Sequence, residues 1–357
     1  MKKKLPRVLI NVGLILLSLL FCEFLFRQVL FSRLEFAKWI QNPGDYFNYF
    51  TDDDFWRLNF LTGEKLGKPA YMGTHPELGW SGRFDPQTYV HEDEKDRRGR
   101  IPVLLYGDSF GACTQTKTCF QHLFNQDPRV NKKCFLLNYS VGAYGVDQIL
   151  MLMKKTLSLY EKPIVIYSLL TQDLDRATQT IFVSPKPYYV IDQGELVRRG
   201  TPIDSDSAHF FESNPPRVFS YLGLYLYRKL MGVSGYLMDP VEIPRVLNIS
   251  KLVLDESLKL LKERSRAFFA AVFVPNWLGE SFIQQADADD WRLVAIKESL
   301  QRNEVPFLVT KDVLRKDMKE QGLEVDAYFV PNDGHPNDRQ NQLVYDAMLK
   351  HLGHCRP

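Results

Sequence analysis

A serine follows a short apolar run in Val103-Leu104-Leu105-Tyr106-Gly107-Asp108-Ser109-Phe110-Gly111, and a histidine stands far along the chain in Asn332-Asp333-Gly334-His335-Pro336-Asn337. A serine hydroxyl is a poor nucleophile at neutral pH. It needs a base within hydrogen-bond reach, an acid that holds the base, and donors for the oxyanion that forms when it attacks a carbonyl. Ser109, His335 and Asp333 supply the three side-chain types. Asp333, two residues before His335, would bond the other imidazole nitrogen and fix its tautomer. The chemistry open to such a set is attack on an ester, with the acyl group passing to water or to a second hydroxyl.

The elements around these residues would have to bring opposite ends of the chain together. Val103 to Tyr106, bounded by Pro102 and Gly107, reads as a buried strand, and the turn after it would place Ser109 at a helix start, where backbone N–H groups favour negative charge. Further apolar strands are expected at Cys134 to Asn138, Ile164 to Leu170, Ala267 to Val274 and Phe307 to Val309. Helical patterns lie between them at about Cys119 to Phe124, Asp147 to Leu159, Asp255 to Arg264, Trp291 to Arg302 and Asn341 to Leu352. This alternation predicts an α/β fold, a three-layer α/β/α sandwich on a central parallel sheet. His335, just before the last helix, would then emerge at the same sheet edge as Ser109. Backbone amides of Gly142 or Ala143, in the small-residue loop Asn138 to Gly145, join that of Ser109 as expected oxyanion donors, and Gln172 is a candidate third donor after the next strand.

Together these blocks resemble the SGNH/GDSL superfamily of esterases, lipases and acyltransferases over about residues 101 to 352. Gly107-Asp108-Ser109 matches the first block, and Asp333 and His335 match the last. The resemblance implies a flavodoxin-like SGNH hydrolase fold with Ser109, His335 and Asp333 catalytic. Two blocks depart from the pattern. Ala143, with Gly142 beside it, stands where a glycine amide is usual, and Gln172-Asp173 stands where the superfamily has Asn-Asp. Many members space aspartate and histidine three apart, which would select Asn332; the gap seen here resembles the variant in polysaccharide O-acetylation enzymes and selects Asp333. The N-terminal apolar run, His75-Pro76-Glu77-Leu78-Gly79-Trp80 and Asp333-Gly334-His335-Pro336-Asn337 resemble bacterial membrane-anchored members. By that analogy the acyl ester belongs to a cell-envelope glycan, and the activity is hydrolysis or O-acyl transfer; a binder that keeps the fold without the chemistry is the alternative.

Lys2, Lys3, Lys4 and Arg7 precede an apolar stretch from Val8 to Leu30 interrupted by Glu23 and Arg27, which are four apart on one helical face and would pair or snorkel. A span needs about 20 mainly apolar residues. Without a small-residue cleavage site after Ser18, the stretch reads as an uncleaved signal anchor, with a cytoplasmic N-terminus and a periplasmic or extracellular catalytic domain. Residues 31 to 100 are read as a membrane-proximal lead-in, and 101 to 357 as the catalytic domain with an insertion at about 171 to 250. The insertion would hold a hairpin around Asp192-Gln193-Gly194 and a short aromatic helix after Pro215-Pro216.

Lys plus Arg number 45 and Asp plus Glu 43, a net charge of +2 without a basic tract beyond the N-terminus, which argues against nucleic acid as a partner. Glycines 107 and 111 do not complete a dinucleotide fingerprint and no P-loop lysine follows. No cofactor is expected, and no Cys/His spacing matches a structural zinc site. Asp52 to Asp54 reads as a solvated turn rather than a metal site, and His75 as a packed loop residue. Cys113, Cys119, Cys134 and Cys355 would lie in an oxidising space; Cys119 with Cys134 is the favoured disulfide among three pairings.

Overall fold

The computed structural model describes residues 4–63, 73–204, 206–276 and 283–355; Lys2 and Lys3 of the basic flank lie outside them. The chain divides into two compact units, one made of residues 1–70 and 206–240, the other of 71–205 and 241–357.

The larger unit is built on five parallel strands: β1 (Ile101–Tyr106), β2 (Cys134–Asn138), β3 (Ile164–Leu170), β4 (Ala267–Phe273) and β5 (Phe307–Val309). Their order across the sheet is β2-β1-β3-β4-β5, the doubly wound arrangement whose strand order reverses at β1 and β3. All five strands match the expected segments to within two residues. They are nearly continuous apolar runs because both faces are covered. Leu104, Tyr106, Val165, Tyr167 and Val272 face one layer, with the helices Val146–Thr156, Ile243–Arg264 and Trp291–Arg302. Val103, Leu105, Ile166, Phe269 and Phe273 face the other, with Phe120–Gln126 and Asp338–Met348. This is the expected three-layer sandwich.

Two helices depart from expectation. Thr310–Gln321 was not legible, because Val313, Leu314 and Met318 give it only a thin apolar stripe. The helix expected from Asp255 begins at Ile243, with Pro244 in its first turn, where a proline costs no hydrogen bond. The Tyr188–Asp192 and Glu195–Arg199 strands form the expected hairpin. Residues 73–100 pack in the sheet-bearing unit, with Leu78, Trp80 and Phe84 in its core. The disulfide joins Cys134 to Cys355, not Cys119 to Cys134. Cys134 starts edge strand β2 and Cys355 follows the last helix across the same layer, a closeness that only tertiary packing sets. Cys119 remains a thiol, and its hydrogen bond with Cys113 brings its pKa down to about 7.

The smaller unit gathers the Lys4–Leu30 helix, short turns at Glu35–Ile40 and Pro43–Asp45, and the helices Asp53–Thr62, Ser207–Ser213 and Tyr221–Met231. Its core contains Leu30, Ile40, Tyr46, Phe55, Leu58 and Tyr221. Asp52 caps the Asp53–Thr62 helix by accepting from the Asp54 amide, which accounts for the acidic run.

Candidate active site

Ser109 leaves the C-terminal end of β1 at the point where the sheet order reverses. The turn is pressed against β3: a Cβ on Gly107 would lie 2.7 Å from the Cβ of Ser168, and one on Gly111 would lie 2.5 Å from Ser140 Oγ. Gly107 has no room for a side chain, and one at Gly111 would have to displace the Ser140 hydroxyl. Ser109 Oγ stands 2.9 Å from His335 Nε2, and His335 Nδ1 is hydrogen-bonded to Asp333 Oδ1. With the Nδ1–H donating to Asp333, Nε2 presents its lone pair to the serine hydroxyl. The structure thus brings together all three side chains expected from the motifs, across 226 residues of chain.

The loop that carries His335 is a tight turn. Asp333 and Gly334 amides both donate to Val330 O, and Val330 N donates to His335 O. Asn332 and Gly334 take positive φ, 60° and 82°, a backbone that Asn and Gly adopt most readily. Asn337 then caps the Asp338–Met348 helix by accepting from the Gln340 amide, while its Nδ2 donates to Ala327 O at 2.9 Å. The Phe110 ring lies 5.4 Å from the imidazole. Beside this turn opens a cleft of about 460 Å³ lined by Asn276, Phe329, Val330, Asn332, Asp333 and Gly334 among others.

The expected oxyanion loop is anchored to the Ser109 turn. Val141 N donates to Gly107 O, and Asn138 Nδ2 to Gly111 O at 2.9 Å. Trp80 Nε1 donates to Gly142 O at 2.9 Å, and Tyr144 Oη donates back to Trp80 O. Among the described residues the amides of Ser109, Gly142 and Ala143 have no intramolecular acceptor. Ala143 has φ 67°, the left-handed region that glycine would occupy without a Cβ cost. Gln172 is buried at the end of β3, one residue before Asp173.

Arg176 and Lys186 could not be read from the motifs. Arg176 Nη1 donates to Asp108 Oδ2 at 3.1 Å, to Asp173 Oδ1 at 2.7 Å and to Tyr144 O at 2.8 Å. One guanidinium therefore joins the loops that follow β1, β2 and β3. Asp108 also accepts from the Phe110 amide at 2.9 Å, so its role in the turn is structural. Its Oδ2 lies 3.4 Å from Ser109 Oγ, a longer contact than the one to His335. Burial, with the Asp108 charge next, pushes the Asp173 carboxyl well above the usual range. Lys186, fully buried, pairs with Asp147 and donates to Arg176 O at 3.0 Å.

His75 is the packed loop residue expected. Its Nδ1 accepts from the Glu77 and Leu78 amides, its Nε2 faces Pro86 O, and burial lowers its pKa. Among the described residues no group of three His, Cys, Asp or Glu is placed to hold a metal ion.

No protein-family profile matches the chain, and no curated protein does. Among solved structures it is similar to a member of the lipolytic protein G-D-S-L family from Veillonella parvula, at 10% identity and TM-score 0.38 over 70% of this chain and 97% of that one. An acetylxylan esterase from Geobacillus stearothermophilus matches at 12% identity and TM-score 0.41 over 71% and 94%. LAE5, an α/β hydrolase enzyme from the metagenome of Lake Arreo, matches at 14% identity and TM-score 0.40 over 72% and 97%. Likenesses this distant carry no argument about chemistry, which rests on the side chains.

Proposed function

We propose that the chain is a membrane-anchored serine hydrolase of acyl esters. The observation that carries this reading is the 2.9 Å contact from Ser109 Oγ to His335 Nε2, with Asp333 on the far nitrogen. In this mechanism Ser109 Oγ attacks the ester carbonyl while its proton passes to His335 Nε2. Asp333 stabilises the imidazolium, and the amide of Ser109 and that of Gly142 or Ala143 receive the oxyanion, with Gln172 as a third donor. The tetrahedral intermediate then expels the alkoxide, which takes the proton from His335 and leaves an acyl-Ser109. Water attacks this ester with His335 again as base, and the carboxylic acid departs.

The anchor reading rests on packing as well as composition. Val8–Leu30 is long and apolar enough to cross a bilayer. Its end is also built into the smaller unit, where Phe26, Val29 and Leu30 pack against Tyr46 and Tyr221. Cleavage behind the helix would strip that core, so a retained anchor fits better than a removed signal. Basic residues ahead of the span favour a cytoplasmic N-terminus, which leaves the active site on the outer side. The Cys134–Cys355 disulfide suits that compartment. The esters within reach there are those of the envelope, and acyl groups on its glycans are the substrate class we favour.

The test is Ser109→Ala. Hydrolysis of p-nitrophenyl acetate should fall at least about 10³-fold with the fold intact, and a fluorophosphonate probe should label Ser109 in the native chain only. Turnover that survives the substitution overturns the assignment.

A further inference from the structure

Glu23 and Arg27 interrupt the apolar helix, and both are answered from a segment nearly two hundred residues away. Glu23 accepts from Ser220 Oγ at 2.8 Å and from the amides of Tyr221 and Leu222 at 2.9 and 3.0 Å. Arg27 pairs with Glu23 and donates to Val218 O and Phe219 O, both at 3.2 Å. A helix start leaves its first N–H groups without backbone partners. In water the solvent would satisfy them. Here the Glu23 carboxylate accepts from two of them, while the Arg27 guanidinium donates to the carbonyls just ahead of the helix, as an apolar medium requires.

Glu23 lies seven residues before Leu30, the end of the span, or about 10 Å down the helix axis. The start of the Tyr221–Met231 helix is held at that level. This helix is also apolar on both sides. Tyr221, Leu224 and Tyr225 turn toward the core of the smaller unit. Leu226, Tyr227, Leu230 and Met231, spaced i, i+1, i+4 and i+5, turn outward and are exposed, Leu230 by 83%; Phe219, just ahead of the helix, is 98% exposed. The two charged residues of the helix, Arg228 and Lys229, lie off this outward face, Lys229 paired with Asp45, and a cluster of large apolar residues this exposed marks a binding surface. The patch continues the lipid-facing surface of the span, since Phe36 and Trp39, just past Leu30, are exposed as well. An exposed tryptophan at the end of a span sits where aromatic residues mark the bilayer interface.

We propose that Phe219 and the outward face of the Tyr221–Met231 helix insert into the same bilayer that the Val8–Leu30 span crosses, from its outer side, as a second membrane-embedded element clasped to the anchor through Glu23 and Arg27. The occupant of this surface is lipid. The proposal rests on the anchor reading above.

The experiment uses the full chain reconstituted in phosphatidylethanolamine and phosphatidylglycerol vesicles. The photocrosslinker p-benzoylphenylalanine is placed singly at Phe219, at Leu230, at Leu20 in the middle of the span, and at His209, an exposed position of the same unit. Lipid adducts are measured by mass spectrometry. Positions 219 and 230 are expected to give adducts at a yield comparable to position 20 and about tenfold above position 209. Yields at 219 and 230 equal to that at 209, with position 20 labelled, overturn the embedded helix and leave the anchor standing. Crosslinked dimers in place of lipid adducts at 219 and 230 overturn it in favour of a second copy of the chain. Absence of adducts at position 20 overturns the anchor reading, and this proposal with it.

Discussion

Replacing Arg176 by methionine, which keeps much of the volume and removes the charge, tests whether one buried guanidinium holds the active-site loops. The Arg176 side chain is 6% exposed, and the carboxylates of Asp108 and Asp173 that share it are 0% exposed. Removing one partner of a buried ion pair costs about 3–5 kcal/mol, because the remaining charge stays out of water. Set against a total stability of about 5–15 kcal/mol, that is a large fraction, and it corresponds to a fall in Tm of roughly 6–20 °C at ~2–4 °C per kcal/mol. Asp108 and Asp173 lose the same guanidinium, so neutralising one of them removes one of two stranded carboxylates. Asp108→Asn in the Arg176→Met background should therefore recover about half of the lost stability. Turnover should respond separately. An unneutralised Asp108 carboxylate, 3.4 Å from Ser109 Oγ, would draw the hydroxyl away from His335 and lower kcat at least about tenfold, equivalent to ~1.4 kcal/mol. The assays are calorimetry and p-nitrophenyl acetate hydrolysis on the full chain. An Arg176→Met protein that melts and turns over like the parent would refute the reasoning.

Asp333→Asn should keep the fold and lower kcat by about 10²–10⁴-fold, since the amide no longer fixes the imidazole tautomer; steady-state kinetics decide it. Asp127 is held down to about 2 by hydrogen bonds from Arg129 and then Tyr345. A depressed carboxyl contributes its full stability above the ordinary carboxylate range and loses it as pH falls from about 4 to about 2. Asp127→Asn should therefore lower stability by about 1 kcal/mol at pH 7 and flatten the acid limb of a Tm–pH curve in that window. Removing the disulfide in Cys134→Ser/Cys355→Ser should cost about 2–5 kcal/mol, and chemical reduction of the native chain should lower its Tm as far as the double substitution does.

What the motifs revealed and what they hid follow from the range of the interactions involved. Ser109, Asp333 and His335 were legible because each sits in a local signature, and because alternating strands and helices give a doubly wound sheet only one edge at which to gather them. Arg176 was not. Its partners Asp108, Tyr144 and Asp173 come from three different loops, and no spacing in the chain announces their meeting. The disulfide was misread for the same reason, because Cys119 is near Cys134 along the chain while Cys355 is near it only in space. The aromatic helix after Pro215-Pro216 was visible, and the Glu23–Arg27 pair was expected from its spacing, but only the fold joins that pair to the start of the helix.

Ser109 and His335 lie on opposite sides, along the chain, of the exposed Gln193-Gly194 hairpin tip. A protease that nicks this tip makes two fragments, one holding Ser109 and Cys134, the other Asp333, His335 and Cys355. The disulfide keeps them on one molecule. Such a preparation migrates as a single band until a reductant is added and as two bands afterwards, so the covalent link can outlive the continuity of the backbone.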